Sequence, residues 1–296
     1  MRLGILGFSE GNGHPYSWAA IFNGYCPTEM AESGFPVISA YLANQRYPDD
    51  FISGASVTHI WTQDFDLSSK ISRASKIKNI CNNPEEMIGE VDGVLLARDD
   101  AESHYTLAAP FLRAGIPVYI DKPFVLSLAT AEKIRAEARY PWQIFTCSAL
   151  YYARELRIAA ELKTIGKLKS VYAVTPQSWE TYGAHLLDPV LRQISGNPLE
   201  VQGWKLGSAT HVFARWSDDI TTHFHATGSA NSAIRIHYIG ESGELLTIFE
   251  DSFSAFKSAL EEFVRQIRQS EEVIPSDHVS RVVSMLEAGC AVPNLS

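Results

Sequence analysis

Short apolar runs alternate with helix-like stretches through the first half of the chain. The runs lie at residues 3–7, 56–61, 92–97, 116–120 and 143–147. Residues 103–114 have the apolar spacing of a helix and are followed by Gly115. Buried strands separated by helices are typical of a parallel sheet with helices on both faces. We therefore predict an α/β domain over residues 1–147.

The pattern changes near residue 148. A helix is predicted over residues 155–164 and ends at Gly166, and two helices are predicted to close the chain at 253–269 and 279–288. Between them, strand-like segments lie at residues 169–176, 199–206, 209–216, 220–227 and 233–240. Because several segments are joined by short turns, we expect a mainly antiparallel sheet. A chain of 296 residues accommodates this α+β region as a second domain, residues 148–296.

Charge and composition exclude several classes of partner. The formal net charge of −9 disfavours nucleic acid. No run approaches the roughly 20 apolar residues of a membrane span, and the chain opens directly into a strand, so we expect a cytoplasmic protein with no membrane partner. The four cysteines have no paired spacing and predict buried thiols rather than zinc ligands. They are Cys26, Cys81, Cys147 and Cys290.

A glycine-rich turn follows the first strand. Residues 7–13 read GFSEGNG and precede a helix-compatible stretch, which is where a dinucleotide pyrophosphate would meet backbone N–H groups. Against G-x-G-x-x-G the match is partial, because Ser9 and Asn12 replace two glycines. A tight turn without a ligand remains an alternative. The same residues fit the G-x-S-x-G hydrolase pattern, but no earlier strand could supply the oxyanion hole.

Asp64 follows the second strand and is a candidate acceptor for the adenosine ribose hydroxyls. It lies late in sequence because residues 25–54 form an insertion, which we interpret as an ordered loop with one short helix. A carboxylate there would favour NAD over NADP. Asp64 could equally be a solvated turn residue beside Asp66.

Several segments, in order, resemble the Gfo/Idh/MocA family of glucose-fructose oxidoreductase and inositol dehydrogenase relatives. They are residues 92–97 (DGVLLA), His104, 114–123 (AGIPVYIDKP), 179–188 (WETYGAHLLD), 242–245 (SGEL) and 251–256 (DSFSAF). The resemblance implies an N-terminal Rossmann dinucleotide-binding domain and a C-terminal α+β domain for substrate binding and oligomerisation. It also implies an NAD(P)-dependent oxidoreductase acting on a sugar, sugar nucleotide or polyol. Relatives assemble through the outer face of the second sheet, which implies a homodimer or homotetramer.

The resemblance also implies site residues. Lys122 would stabilise developing alkoxide charge on a substrate hydroxyl, and His185 would accept its proton, since an imidazole ordinarily has a pKa of about 6.5. The implied cofactor-binding residues are Gly7, Ser9, Gly11, Gly13, Asp64, Arg98, His104, Asp121, Lys122 and Pro123. The implied substrate-binding residues are Tyr151, Glu180, Tyr182 and Asp188.

The chain departs from the family pattern at two places. Thr181 stands where relatives often have Asp four residues before the His, so Glu180 or Tyr182 would have to substitute. Residues 97–100 read ARDD in place of Ala-Thr-Pro-Asn. These departures leave open a non-catalytic dinucleotide-binding sensor or subunit, or a redox-assisted lyase or hydrolase with tightly bound NAD.

Three histidines in the second half suggest a metal site only weakly. The set is His211, His223 and His225, together with Asp218 and Asp219, and in a strand His223 and His225 would share a face. Polar residues on a sheet face are more often solvent or substrate contacts. We therefore predict no metal.

Overall fold

The computed structural model describes residues 1–295, which fall into two compact units. Unit 1 contains Met1–Phe124, Glu132–Thr146 and Phe256–Ile274. Unit 2 contains Val125–Ala131, Cys147–Ala255 and the residues from Pro275 on. A division into residues 1–147 and 148–296 does not foresee the return of the chain to unit 1. Residues 256–274 return to unit 1 through apolar packing. The Phe263 ring packs on Tyr119 and Phe145 of unit 1, with ring centroids 5.8 and 5.7 Å apart.

Sheet A of unit 1 has six parallel strands. They are β1 (Arg2–Leu6), β2 (Ser56–Trp61), β3 (Asn79–Ile80), β4 (Gly93–Leu96), β5 (Val118–Ile120) and β6 (Ile144–Phe145), in the order β3-β2-β1-β4-β5-β6. β4 and β5 are buried throughout, as their unbroken apolar sequences predict. Strand order reverses on either side of β1, so the crevice beyond the carboxyl ends of β1 and β4 is the usual ligand position for such a sheet.

Nine α-helices occur in residues 1–295. They are α1 (His14–Asn23), α2 (Pro27–Ala31), α3 (Pro36–Ala43), α4 (Phe65–Ala74), α5 (Ala101–Arg113), α6 (Leu128–Arg135), α7 (Trp179–Leu191), α8 (Ser252–Gln269) and α9 (Ser276–Cys290). Short 3₁₀ turns occur at Pro84–Met87, Pro141–Gln143, Ala149–Tyr152, Arg154–Leu156, Glu161–Ile165 and Ser217–Asp219. None of these helices is both long and apolar enough to cross a membrane.

Sheet B of unit 2 also has six strands. They are β7 (Leu168–Thr175), β8 (Glu200–Leu206), β9 (Ala209–Arg215), β10 (Thr221–Ala226), β11 (Arg235–Gly240) and β12 (Glu244–Ile248), in the order β12-β11-β7-β10-β9-β8. β7 and β10 pair in parallel, and the other pairs are antiparallel. The expected fold class, a parallel α/β sheet plus a mainly antiparallel α+β sheet, is confirmed.

One face of sheet B is covered by α7, with α9 packed against that helix. Trp179 donates its indole N–H to the Leu286 carbonyl at 3.0 Å, and Gly289 lies under the indole ring, where a Cβ would stand 2.2 Å from its nitrogen. The opposite face carries half-buried and exposed aromatic side chains and histidines. This open face of sheet B contains Tyr172, Trp204, His211, Phe213, His223 and His225.

Three details of the sequence prediction are wrong. The insertion at residues 25–54 contains two short helices, α2 and α3, each begun by a proline at its first position. The helix expected at 155–164 is broken into separate 3₁₀ turns, Arg154–Leu156 and Glu161–Ile165. β12 was not expected as a strand, because it is an edge strand whose Leu246 and Ile248 side chains stay exposed.

Candidate active site

The glycine turn leaves the carboxyl end of β1 at Gly7, whose N–H donates to the Trp61 carbonyl at 2.8 Å. Gly7 and Gly11 have φ values of +78° and +80°, in the left-handed region that favours glycine. Gly13, at the start of α1, is constrained by space, since a Cβ there would lie 2.5 Å from Ile38 Cδ1. The turn therefore needs its three glycines for conformation and packing.

The turn offers backbone donors for an anion. Within residues 1–295 no backbone carbonyl accepts from the N–H groups of Ser9, Glu10 and Gly11. The first turn of α1 offers fewer backbone N–H donors, because the His14 N–H already donates to Asn12 Oδ1 at 2.9 Å and Pro15 has no N–H. Phosphate donors would thus come from the turn itself, in the manner of a backbone nest.

Asp121 ties the end of β5 to the glycine turn. Its Oδ2 accepts from Asn12 Nδ2 at 3.1 Å and lies 2.5 Å from His14 Nδ1, and its Oδ1 accepts from the Lys122 N–H at 2.7 Å. Burial alone would raise the pKa of the Asp121 carboxyl, but charge and hydrogen bonding from His14, with help from Lys122 and Asn12, hold it below its ordinary value. Asp121 is therefore a buried carboxylate with a structural function at this end of the sheet.

Lys122 follows Asp121 and is nearly buried, with 6% of its side chain exposed. Its Nζ lies 3.5 Å from Asp99 Oδ2, on the loop after β4. Ser9 Oγ donates to Asp99 Oδ1 at 2.5 Å and accepts from the Asp99 N–H at 3.1 Å. The glycine turn and the candidate catalytic lysine are thus connected through one carboxylate. Pro123 is also buried.

Arg98 lies across the glycine turn. A Cβ on Gly7 would stand 2.4 Å from its Cδ. The guanidinium makes a bidentate pair with Asp100, at 2.7 and 2.6 Å, and donates to Gln63 Oε1 at 3.2 Å. Burial tends to raise the pKa of Asp100, but the Arg98 hydrogen bonds and charge hold it below its usual range. The charge of Arg98 is thus shared with Asp100.

His104 and Asp64, both predicted to bind the cofactor, make hydrogen bonds within the protein. The His104 ring is fully buried, with Nδ1 2.8 Å from the Phe124 carbonyl and Nε2 2.9 Å from the Arg98 carbonyl. It therefore shapes the loop that carries Arg98. Asp64 is the N-cap of α4, where Oδ1 accepts from the N–H groups of Asp66 and Leu67.

His185 of unit 2 lies on α7, in a chain of buried polar groups. Its Nδ1 is 2.6 Å from Ser148 Oγ, and the Ser148 N–H donates to Asp188 Oδ2 at 2.5 Å. The other Asp188 oxygen lies 3.0 Å from His278 Nε2, on α9. Asp188 thus holds the backbone of Ser148, and the Ser148 hydroxyl meets the imidazole of His185. Asp188 lies within the helix, which continues past Pro189.

The remaining predicted substrate residues fall in different surroundings. The Tyr182 ring packs edge-on against His185, with centroids 4.9 Å apart. Tyr151 packs against His278, and burial raises the pKa of its hydroxyl, an effect that the Arg192 charge reduces. Glu180 pairs instead with Lys205 Nζ at 3.0 Å. Because residues on a helix are separated by about 100° each, Glu180 lies about 140° around α7 from His185.

Glu180 and Thr181 have local explanations. Burial would raise the pKa of the Glu180 carboxyl, but backbone hydrogen bonding and Lys205 hold it below its ordinary value. The Thr181 hydroxyl lies 2.7 Å from that of Ser178, the N-cap of α7.

Sequence reasoning missed four polar partners. Asn12 and His14 lie in or next to the glycine turn in the sequence. They could have been predicted from Asp121, because a buried carboxylate after β5 needs hydrogen-bond donors nearby. Ser148 and His278 had no recognisable signal, because their contacts join segments 37 and 90 residues apart. Among residues 1–295, no group of three or more His, Cys, Asp and Glu side chains is arranged to hold a metal ion.

Comparison with known families gives one match. Residues 37–145 match the model of an oxidoreductase family with an NAD-binding Rossmann fold, GFO_IDH_MocA. No curated protein matches the chain in sequence. The matched segment contains β2 to β6 and the candidate residues Asp64, Arg98, His104, Asp121, Lys122 and Pro123.

Solved structures share the fold along nearly the whole chain. Myo-inositol 2-dehydrogenase from Lactobacillus plantarum has a TM-score of 0.71 and 11% identity over 99% of this chain and 98% of its own. UDP-N-acetylglucosamine 3-dehydrogenase GnnA from Acidithiobacillus ferrooxidans has a TM-score of 0.72 and 12% identity, over 99% and 97%. GenD2 from gentamicin A biosynthesis, in complex with NAD, has a TM-score of 0.72 and 15% identity, over 98% and 93%. At these identities the likeness shows the fold alone.

Proposed function

We propose that the chain, whose residues 37–145 match the family model of the Gfo/Idh/MocA oxidoreductases with their NAD-binding Rossmann fold, transfers a hydride between a nicotinamide cofactor and a hydroxyl-bearing carbon of a sugar, sugar nucleotide or polyol. The observation that carries the proposal is Lys122, held at the carboxyl end of β5 and connected through Asp99 to the glycine turn. Relatives of the same fold include an inositol dehydrogenase and a sugar-nucleotide dehydrogenase, which supports this class of substrate.

The side chains around the glycine turn fit a dinucleotide. The N–H groups of Ser9, Glu10 and Gly11 would bind the pyrophosphate, and Arg98 would add positive charge beside it. The second Asp64 oxygen would accept a ribose hydroxyl, which favours NAD over NADP. A bound nicotinamide would supply the acceptor for the hydride that leaves the substrate carbon.

Two side chains would divide the remaining chemistry. As a hydride leaves the carbon, the hydroxyl loses its proton, and we assign that proton to the imidazole of His185. The Lys122 ammonium would stabilise the negative charge that develops on the oxygen. Tyr182, packed on His185, and Tyr151 would contact the substrate. Asp188 would act indirectly, through Ser148.

Cofactor binding and turnover test this proposal separately. Titration of NADH, followed by nicotinamide fluorescence, is expected to saturate for the wild type and for Lys122→Ala. Oxidation of myo-inositol or UDP-N-acetylglucosamine with NAD⁺ is expected to fall about 100-fold or more in Lys122→Ala. Lys133→Ala is the matched control, because Lys133 lies over the Tyr105 ring, in unit 1 but away from the turn. Absence of NADH binding to the wild type at millimolar concentration would refute the proposal.

A dinucleotide-binding sensor is the second candidate. It is favoured by Thr181, whose hydroxyl is engaged at the start of α7, and by Ser9, whose hydroxyl is engaged by Asp99. A sensor would bind NADH with the same residues, but neither the wild type nor Lys122→Ala would turn over any substrate in the panel.

We further propose a homodimer or homotetramer assembled through the open face of sheet B. Tyr172 on this face is 47% exposed, and Leu246 on the edge strand is 56% exposed, so a monomer would leave apolar side chains in water. A reducing, cytoplasmic location is proposed from the cysteines, all four of which are free thiols; Cys81 and Cys147 are buried as expected, whereas Cys26 and Cys290 are only partly buried.

A further inference from the structure

A carboxylate from the same unit faces the candidate catalytic lysine. Asp99 Oδ2 lies 3.5 Å from Lys122 Nζ, and the two side chains are 19% and 6% exposed. Charges so shielded from water interact more strongly than a pair on the surface. The pair joins two loops that leave neighbouring strands, β4 and β5, at the same end of sheet A.

The neighbouring carboxylates have other partners. Asp100 makes a bidentate pair with Arg98, and Asp121 is bonded to His14 and Asn12. Asp99 is in turn held from behind by Ser9, which donates to one carboxylate oxygen and accepts the Asp99 N–H. The Asp99 carboxylate is therefore fixed in orientation, with its second oxygen directed at the ammonium group.

We propose that Asp99 is a positioning residue for Lys122, an inference that rests on the proposed function. The carboxylate fixes the direction of the lysine side chain, so that its positive charge is in place before alkoxide charge develops on a substrate. Ser9 holds this carboxylate rather than a cofactor phosphate.

Trace acetylation of Lys122 tests the proposal without any substrate. The protein would be treated with limiting acetic anhydride at pH 8, and the Lys122 peptide would be quantified by mass spectrometry against an exposed lysine such as Lys169. In Asp99→Asn we expect Lys122 to be acetylated about tenfold faster, since loss of the ion pair leaves the nearly buried side chain free to move toward the reagent. Ser9→Ala should change the rate in the same direction by less, and it provides a second variant if Asp99→Asn does not fold.

Asp100→Asn is the matched control, because it removes a charge one residue away that is bonded to Arg98. Lys122 acetylation in this variant should equal that in the wild type. An unchanged rate in Asp99→Asn, or an equal increase in Asp100→Asn, would overturn the assignment.

A double-mutant comparison connects the pair to turnover. If Asp99 acts through Lys122, Asp99→Asn should lower kcat in the wild type but have no further effect in Lys122→Ala. Additive losses would overturn the positioning assignment. All four proteins should bind NADH. If the wild type does not bind NADH, the proposed function fails. If all four bind NADH but the losses in kcat are additive, only this inference fails.

Discussion

Lys122 and His185 are both nearly buried, and each is held by residues far away in sequence. Lys122 meets Asp99, and His185 meets Ser148. In both cases a small polar residue sets the orientation of the candidate catalytic group. The physical reason is that a buried polar side chain needs a partner with correct geometry.

Removal of the Ser148 hydroxyl should release the His185 ring. In Ser148→Ala we expect the free energy of unfolding to decrease by about 1–3 kcal/mol, because the buried Nδ1 of His185 loses the hydroxyl that it contacts. The ¹⁵N spectrum of His185 should change from one dominant tautomer to a mixture, while Ser148→Thr keeps the wild-type pattern. Ser170→Ala, on the open face of sheet B, serves as control. A single unchanged tautomer in Ser148→Ala would contradict this account of the contact.

Asp64, at the start of α4, is expected to affect both stability and cofactor binding. Asp64 caps the helix through Oδ1, and its other oxygen is our proposed ribose contact. Asp64→Ala should lower the unfolding free energy by about 1 kcal/mol and weaken NADH binding. Asp64→Ser retains a cap and should lose NADH affinity without a comparable loss of stability, as measured by denaturant unfolding and fluorescence titration. Equal NADH affinity in the wild type and Asp64→Ser would show that Asp64 only caps the helix.

The elements that sequence reasoning identified well are those with a strong local signal. The central strands β4 and β5 of sheet A are apolar and buried throughout, and α8 has a continuous apolar stripe. The 3₁₀ turns of residues 154–165 and the edge strand β12 have weak local preferences and take their form from the surrounding structure. For the site, the sequence indicated which residues are candidates and where they lie along the chain. It did not indicate pairs such as Lys122 with Asp99, because these form only when two loops meet in the folded protein.

The open face of sheet B governs the behaviour of the assembled molecule. Tyr172→Asp would place a charge in the proposed interface and should shift the protein to a lower mass in light scattering coupled to size-exclusion chromatography. Val37→Asp is the control, because Val37 is 69% exposed on α3 in unit 1. A wild type that is monomeric at all concentrations, or a variant of unchanged mass, would contradict assembly through this face.

Three histidines make the same face sensitive to acid. Burial, together with the charges of His211 and His225, lowers the pKa of His223 to about 4, and burial also lowers the pKa of both neighbours. A folded pKa below the ordinary 6.5 means that the unfolded chain binds more protons between about pH 6.5 and pH 4, so stability is lost as the pH falls through this window. The Tm should therefore decrease from pH 7 to pH 4.5, and less so in His223→Gln. Parallel curves for the two proteins would contradict this origin.

Transfer of deuterium from substrate to cofactor is the most direct measurement of the proposed reaction. The protein would be incubated with NAD⁺ and with polyols and sugar nucleotides deuterated at their hydroxyl-bearing carbons, and the nicotinamide product analysed by mass spectrometry. The account predicts monodeuterated NADH with at least one substrate, and its loss in Lys122→Ala and in His185→Ala. Saturable NADH binding with no deuterium transfer from any substrate, or transfer that persists in both variants, would contradict it.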